Sequence, residues 1–99
     1  MFEAANLEVR ARWRHYLDGI GTTDLMLASS LRALEAEREL SKKTDRQLAA
    51  LDHHLRRMRN VERINKDRFE AGRIPLHDFA QARFYRAQAE LWLEQAQSN

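Results

Sequence analysis

Phe69-Glu-Ala-Gly72-Arg-Ile74-Pro-Leu-His-Asp78-Phe79-Ala-Gln-Ala82, with Ala87 just beyond, is the stretch that decides the fold, because the chain contains it twice. The earlier copy is Tyr16-Leu-Asp-Gly19-Ile20-Gly-Thr-Thr-Asp24-Leu25-Met-Leu-Ala28, with Ala33 beyond. Each copy runs from an aromatic to a Gly three residues on, through a short break, to Asp, an apolar residue and Ala. Aromatic and Gly repeat at an offset of 53 and the later positions at 54, so the two breaks differ by one residue. A repeat of this kind is a statement about architecture. It describes a helix, a Gly-containing turn and a second helix, made twice.

Working outward, four helices are expected, at about 2–17, 23–40, 45–71 and 76–97. Phe2, Ala5, Val9, Trp13, Tyr16 and Ile20 recur at steps of three and four, which is one face of a helix. Gly19 and Gly21 end it, since Gly accepts the left-handed C-terminal position. Thr22 or Thr23 caps the second helix, Asp24 puts negative charge in its first turn, and Leu27, Leu31 and Leu34 mark its face. In the third, Leu48, Leu51, Leu55 and Met58 keep the rhythm, continued by Val61, Ile64 or Asn65, and Phe69. Gly72 stops it, and Pro75 suits the start of the fourth.

Residues 41–44 leave two alternatives open. Thr44 with Gln47 has the form of a capping box, which argues for a new helix start. Yet nothing there forbids helix. Without a break, residues 23–70 form one rod of roughly 70 Å at about 1.5 Å per residue, and the two Gly turns lie at its opposite ends.

The last helix carries two stripes: Ala80, Phe84, Ala87 and Leu91, and then Ala82, Tyr85, Ala89, Trp92 and Ala96. Two seams imply neighbours on two sides. Trp13, Tyr16, Phe69 and Phe84 are expected in the core. Tyr85 and Trp92 are the candidates for an interface between chains. The fold class that follows is all-α, built of antiparallel long-helix hairpins in a coiled-coil-like bundle, as a single helical domain over 1–99.

Composition narrows the function. Of the 99 residues, 43% are apolar and 32% charged, with one Pro and three Gly, which suits long helices with solvated faces. There is no Cys, hence no disulfide, no thiolate chemistry and no lipoprotein anchor on this chain. No window is long and apolar enough to cross a membrane, and the N-terminus lacks the basic and apolar regions of a signal peptide. As written, the chain is expected in the cytoplasm. A formal charge of +2 exerts no strong global pull on nucleic acid.

Arg56, Arg59, Arg63 and Lys66 make a basic stripe, the pattern phosphate binding needs. Asp52 and Glu62 interleave with it at i, i+4 spacing, so a solvated face is the favoured interpretation and nucleic acid is not an expected partner. His53 and His54 are adjacent and diverge by about 100° on a helix, so they cannot share a metal. His15 and His77 have no partner at i, i+4. No catalytic constellation and no phosphate loop is present. No enzyme, metal or cofactor is expected.

The stretch from Val61 to Ala96 resembles the helical hairpin of the TolC-type outer-membrane efflux proteins. Phe69, Gly72, Asp78 and Ala82 match that family's hairpin tip, with Asp78 at the place of an entrance-lining acid. Tyr16, Gly19, Asp24 and Ala28 match it more loosely. The resemblance covers about a third of the chain well and another quarter weakly. It implies a non-enzymatic interaction module, assembled as a trimer, whose tips meet an efflux adaptor protein in the periplasm. The chain has no strands for an outer-membrane barrel, so the resemblance concerns the hairpin alone. The alternative is a cytoplasmic homo-oligomeric scaffold that pairs with itself through Tyr85 and Trp92.

Overall fold

The structure is a computed structural model that describes residues 1–98. Among these residues there are four helices and no strand: α1 (Phe2–Leu17), α2 (Thr23–Glu39), α3 (Thr44–Glu70) and α4 (Leu76–Gln97). Consecutive helices joined by short turns pack side by side and run antiparallel. α1 lies on α2, α2 on α3 and α3 on α4, while α2 also meets α4. The Cα envelope measures 44 × 29 × 14 Å, so the bundle is flattened. All four helices contribute to the main core, α1 through Val9 and Tyr16.

The two copies of the repeat end their first helices in the same way. Ile20 N–H bonds the His15 carbonyl at 2.9 Å and Gly19 N–H the Tyr16 carbonyl at 3.1 Å. At the second copy Arg73 N–H bonds the Arg68 carbonyl at 2.8 Å and Gly72 N–H the Phe69 carbonyl at 2.9 Å. This crossed pair of bonds is the Schellman motif, and it needs a left-handed residue at its corner. Gly19 (φ 76°) and Gly72 (φ 73°) supply it. A Cβ at either position would meet nothing within 4 Å, so a substitution there is resisted by the backbone and not by crowding. Gly72→Val is therefore expected to destabilise by about 2 kcal/mol, seen as a melting temperature lower by roughly 10 °C. An unchanged melting temperature would refute the turn assignment. Gly21 differs, because a Cβ there would lie 3.2 Å from His15 Cβ. It is small so that the returning chain can pass close to α1.

The helix break is present: α2 ends at Glu39 and α3 begins at Thr44. The agent differs from the expected capping box, since neither Thr44 nor Lys43 caps α3 with a side chain. Gln47 reaches back instead, and its Nε2 donates to the carbonyls of Arg38 and Ser41, both at 2.6 Å. Arg38 Nε donates to Gln47 Oε1 at 2.8 Å. One glutamine thus satisfies carbonyls that the end of α2 leaves open. Because the chain reverses here, the two Gly turns lie at the same end of the molecule.

Met26, Leu27, Leu55, Met58 and Val61 are buried in the main cluster, with Tyr16, Ala82 and Ala89. Leu34, Ala50 and Leu51 form a second cluster toward the α2–α3 turn, against which Trp92 and Leu93 pack. Small residues on α2 (Ser29, Ser30, Ala33 and Ala36, all buried) let its neighbours approach closely.

The stripes of α4 face opposite to the sequence expectation. Tyr85 and Trp92, the proposed interface residues, are half-buried against the two core clusters. Phe84, expected in the core, is 60% exposed and Leu91 51%. Ala82 and Ala89 explain the inversion. Each is fully enclosed, and their small side chains bring that face of α4 against its neighbours.

Candidate functional site

The two hairpin tips are drawn together by one buried amide. Asn65 of α3 occupies an apolar-periodic position and has no exposed surface. Its Oδ1 accepts the Tyr16 hydroxyl proton, with the Val61 carbonyl 3.3 Å from the same hydroxyl. Its Nδ2 donates to Thr23 Oγ1 at 3.0 Å and to the Asp78 carbonyl at 3.1 Å. One side chain therefore ties the end of α1, the start of α2 and the start of α4 to α3. Burial raises the Tyr16 phenol to about 12, opposed by the nearby Arg68 charge and assisted by Asp78. The hydroxyl stays a proton donor at any ordinary pH.

Arg68 completes the joint. Its Nη2 donates to the Tyr16 carbonyl at 2.8 Å. Its guanidinium lies 4.6 Å from the centre of the Tyr16 ring. A cation over an aromatic face and at a helix C-terminus is favourable on both counts. The Arg is contributed by the second hairpin and the helix end by the first.

Asp24 and Asp78 match in the repeat but do not cap their helices with their side chains. Thr22 caps α2, accepting Leu25 N–H at 3.3 Å, and Pro75 stands at the N-cap of α4. Asp24 instead accepts from Gln81 Nε2 at 2.6 Å, a bridge from the first hairpin to α4. The Phe69 ring stacks on Phe79 with centroids 5.8 Å apart. It does not enter the shared polar network, so the two aromatics of the repeat are equivalent in sequence and not in role. Ala82 is fully buried and Ala28 half-buried, both at helix contacts.

Between the tips lies a cleft of about 500 Å³, bordered by Asp18, Asp24, Asp78, Arg68 and Arg73. Leu17, Ile20, Leu25 and Leu76, in or beside the two turns, expose 45, 72, 40 and 60% of their surface. The tip end thus combines a charged cleft with uncovered aliphatic side chains.

The basic stripe is brought to the surface as a row: Arg56, Arg59, Arg63 and Lys66 are all exposed. Arg56 pairs with Asp52 at 3.0 Å and Arg59 with Glu90 at 3.5 Å. Glu62, expected to pair with Lys66, turns to Arg86 of α4 at 3.1 Å. Half of the stripe is already neutralised by neighbours. His53 and His54 diverge as expected, His53 toward Glu37 at 2.8 Å on the surface and His54 into the core. Among the described residues no group of three or more His, Asp or Glu side chains is arranged to hold a metal, and no helix is long and apolar enough to cross a membrane.

A second buried polar cluster joins α2 to α3. His54 Nδ1 lies 2.8 Å from Ser30 Oγ, and Arg57 Nε donates to the same oxygen at 2.7 Å. The far ring nitrogen of His54 has no partner among the described residues, and Trp92 stacks on the ring with centroids 6.1 Å apart. Burial, reinforced by Arg57, lowers the imidazole to about 4. Asn65 and Arg68 lie outside the candidates that the sequence offers, and His54 enters there only as half of an excluded metal pair. The signal available was a polar residue at an apolar-periodic position of α3, which Asn65 and His54 both are.

Comparison with known protein families, with curated proteins and with solved structures finds no match to this chain.

Proposed function

We propose that this chain is a non-enzymatic helical interaction module that presents two hairpin tips, side by side, to the helical hairpin of a partner protein. The observation that carries this is the placement of both repeat turns at one end, locked by Asn65 and Arg68 and rimmed by Leu17, Ile20, Leu25 and Leu76. A pair of tips spends its buried polar groups on holding one relative position. That is what a composite docking surface requires, since preorganisation lowers the entropy lost on binding. The resemblance of Phe69, Gly72, Asp78 and Ala82 to the tips of TolC-type efflux proteins makes an efflux adaptor the partner class. The common direction of the two tips supports this, because tips at opposite ends could not meet one partner.

The test is titration of the fluorescently labelled chain with the isolated α-helical hairpin of a periplasmic efflux adaptor. Saturable binding is expected. It should weaken at least tenfold, about 1.4 kcal/mol, in Ile20→Asp, with the melting temperature unchanged because Ile20 is 72% exposed. No binding by the wild-type chain would refute the adaptor assignment, and unchanged binding by Ile20→Asp would remove the tips as its site.

A further inference from the structure

The outer face of α4 starts one turn beyond the tips and runs away from them, and its apolar row takes no part in the Asn65 hydrogen bonds. Ala80, Phe84, Ala87 and Leu91 form a continuous exposed apolar row at steps of four, three and four. Phe84 and Leu91 keep 60 and 51% of their surface in water. The row is roughly 17 Å long at about 1.5 Å per residue. This spacing is that of a two-helix seam, with Phe84 and Leu91 at one core position and Ala80 and Ala87 at the other.

We infer that this face pairs with the same face of a second copy, antiparallel, about a twofold axis. Four features of the row favour a copy of itself. In the antiparallel register Phe84 meets the partner's Ala87 and Leu91 meets the partner's Ala80, so each large side chain faces a small one and the helix separation is even. A parallel pair would set Phe84 on Phe84 and Ala87 on Ala87, alternately wide and narrow. The same antiparallel register puts Arg83 beside the partner's Glu90 and Glu90 beside the partner's Arg83, both on one flank. Arg83 is exposed and makes no ion pair among the described residues, while Glu90 has Arg86 at 3.3 Å and Arg59 at 3.5 Å. The ends of the row bring His77 to the partner's Glu94. The other flank, Gln81 and Gln88, is uncharged and opposes no like charge. A surface complementary to itself under twofold rotation is the condition for an isologous dimer.

The seam is short, and interfaces below the standard size are concentration-dependent. Light scattering over a concentration series is expected to show the mass rising from one chain to two. Phe84→Ser should weaken association at least tenfold while the circular-dichroism melt stays put, because the ring is mostly solvated. The absence of Cys allows a register test in the full chain. Ala80→Cys mixed with Leu91→Cys should form an intermolecular disulfide under mild oxidation, while either variant alone should cross-link poorly. A monomer at every concentration, a trimer, an unaltered dimer in Phe84→Ser, or Ala80→Cys cross-linking to itself as readily as to Leu91→Cys would each overturn the proposal. The tip-binding titration repeated with Phe84→Ser separates the two surfaces, since loss of self-pairing leaves the tips intact.

Discussion

Asn65→Leu is expected to lower the stability of the fold by about 3 kcal/mol, a fall in melting temperature of roughly 15 °C for a domain of this size. Leu has the branching and heavy-atom count of Asn but is bulkier, so the loss combines unsatisfied polar groups with some overpacking at a fully buried position. The Tyr16 hydroxyl and Thr23 Oγ1 would lose a partner at buried positions, and the Asp78 carbonyl at a partly buried one. Unsatisfied buried groups are more damaging than the bonds themselves are helpful. Combining the change with Tyr16→Phe should therefore be less than additive, because both changes break the same Tyr16–Asn65 bond and the second removes a hydroxyl left with the Val61 carbonyl alone. Thermal melts of the two single variants and the double variant check this. A loss for Asn65→Leu below about 1 kcal/mol would mean that water or a shift of α1 satisfies these groups.

The second large effect is with pH. His54 is fully enclosed and its imidazole is held neutral, lowered to about 4 from the ordinary 6.5 by burial and then by Arg57. The unfolded chain takes up this proton near pH 6.5 and the folded chain does not. Between the two values the unfolded state binds more protons, so stability rises with pH across that window. The contribution is fully present above about pH 6.5 and is lost progressively as pH falls toward 4. It amounts to about 3 kcal/mol over the whole window, at about 1.36 kcal/mol per unit. The wild-type melting temperature should fall by roughly 10 °C between pH 7 and pH 5. His54→Gln keeps a group that can reach Ser30 and has no such proton, so its melting temperature should be nearly level over the same interval. Equal slopes for the two chains would place the titration elsewhere.

Much of the fold was legible because it depends on local chemistry. Gly19 and Gly72 announce left-handed corners, and Pro75 and Thr22 announce helix starts. The 3-4 rhythm of Leu51, Leu55 and Met58 announces a buried face. What was not legible depends on partners distant in sequence. Gln47 looked like half of a capping box, but the carbonyls it serves belong to the preceding helix. Asn65 and Ile64 competed for one core position, and only the arrival of Tyr16, Thr23 and Asp78 around that position explains why the amide won. The exchange of stripes on α4 was equally hidden. Either row is apolar, and the choice falls to the one whose alanines permit closer contact. Tyr85 and Trp92 go inward with Ala82 and Ala89, and Phe84 remains outside.

The reversal at Leu40–Lys43 lies at the end of the molecule remote from both Gly turns. The hairpins are locked to each other at the far end by side chains, so the connection can change in length without moving the tips, beyond the loss of the Gln47 bond to Ser41. Lengthening such a connection is entropically mild, about 0.6 kcal/mol for each doubling. The number of residues between the two copies of the repeat is therefore a free variable of this architecture. An inserted domain could enter at Lys42 and leave the opposite face of the protein in register. A chain with widely spaced copies and a chain with adjacent ones can thus share the same pair of tips, and the separation of repeats along a sequence is no guide to their separation in space.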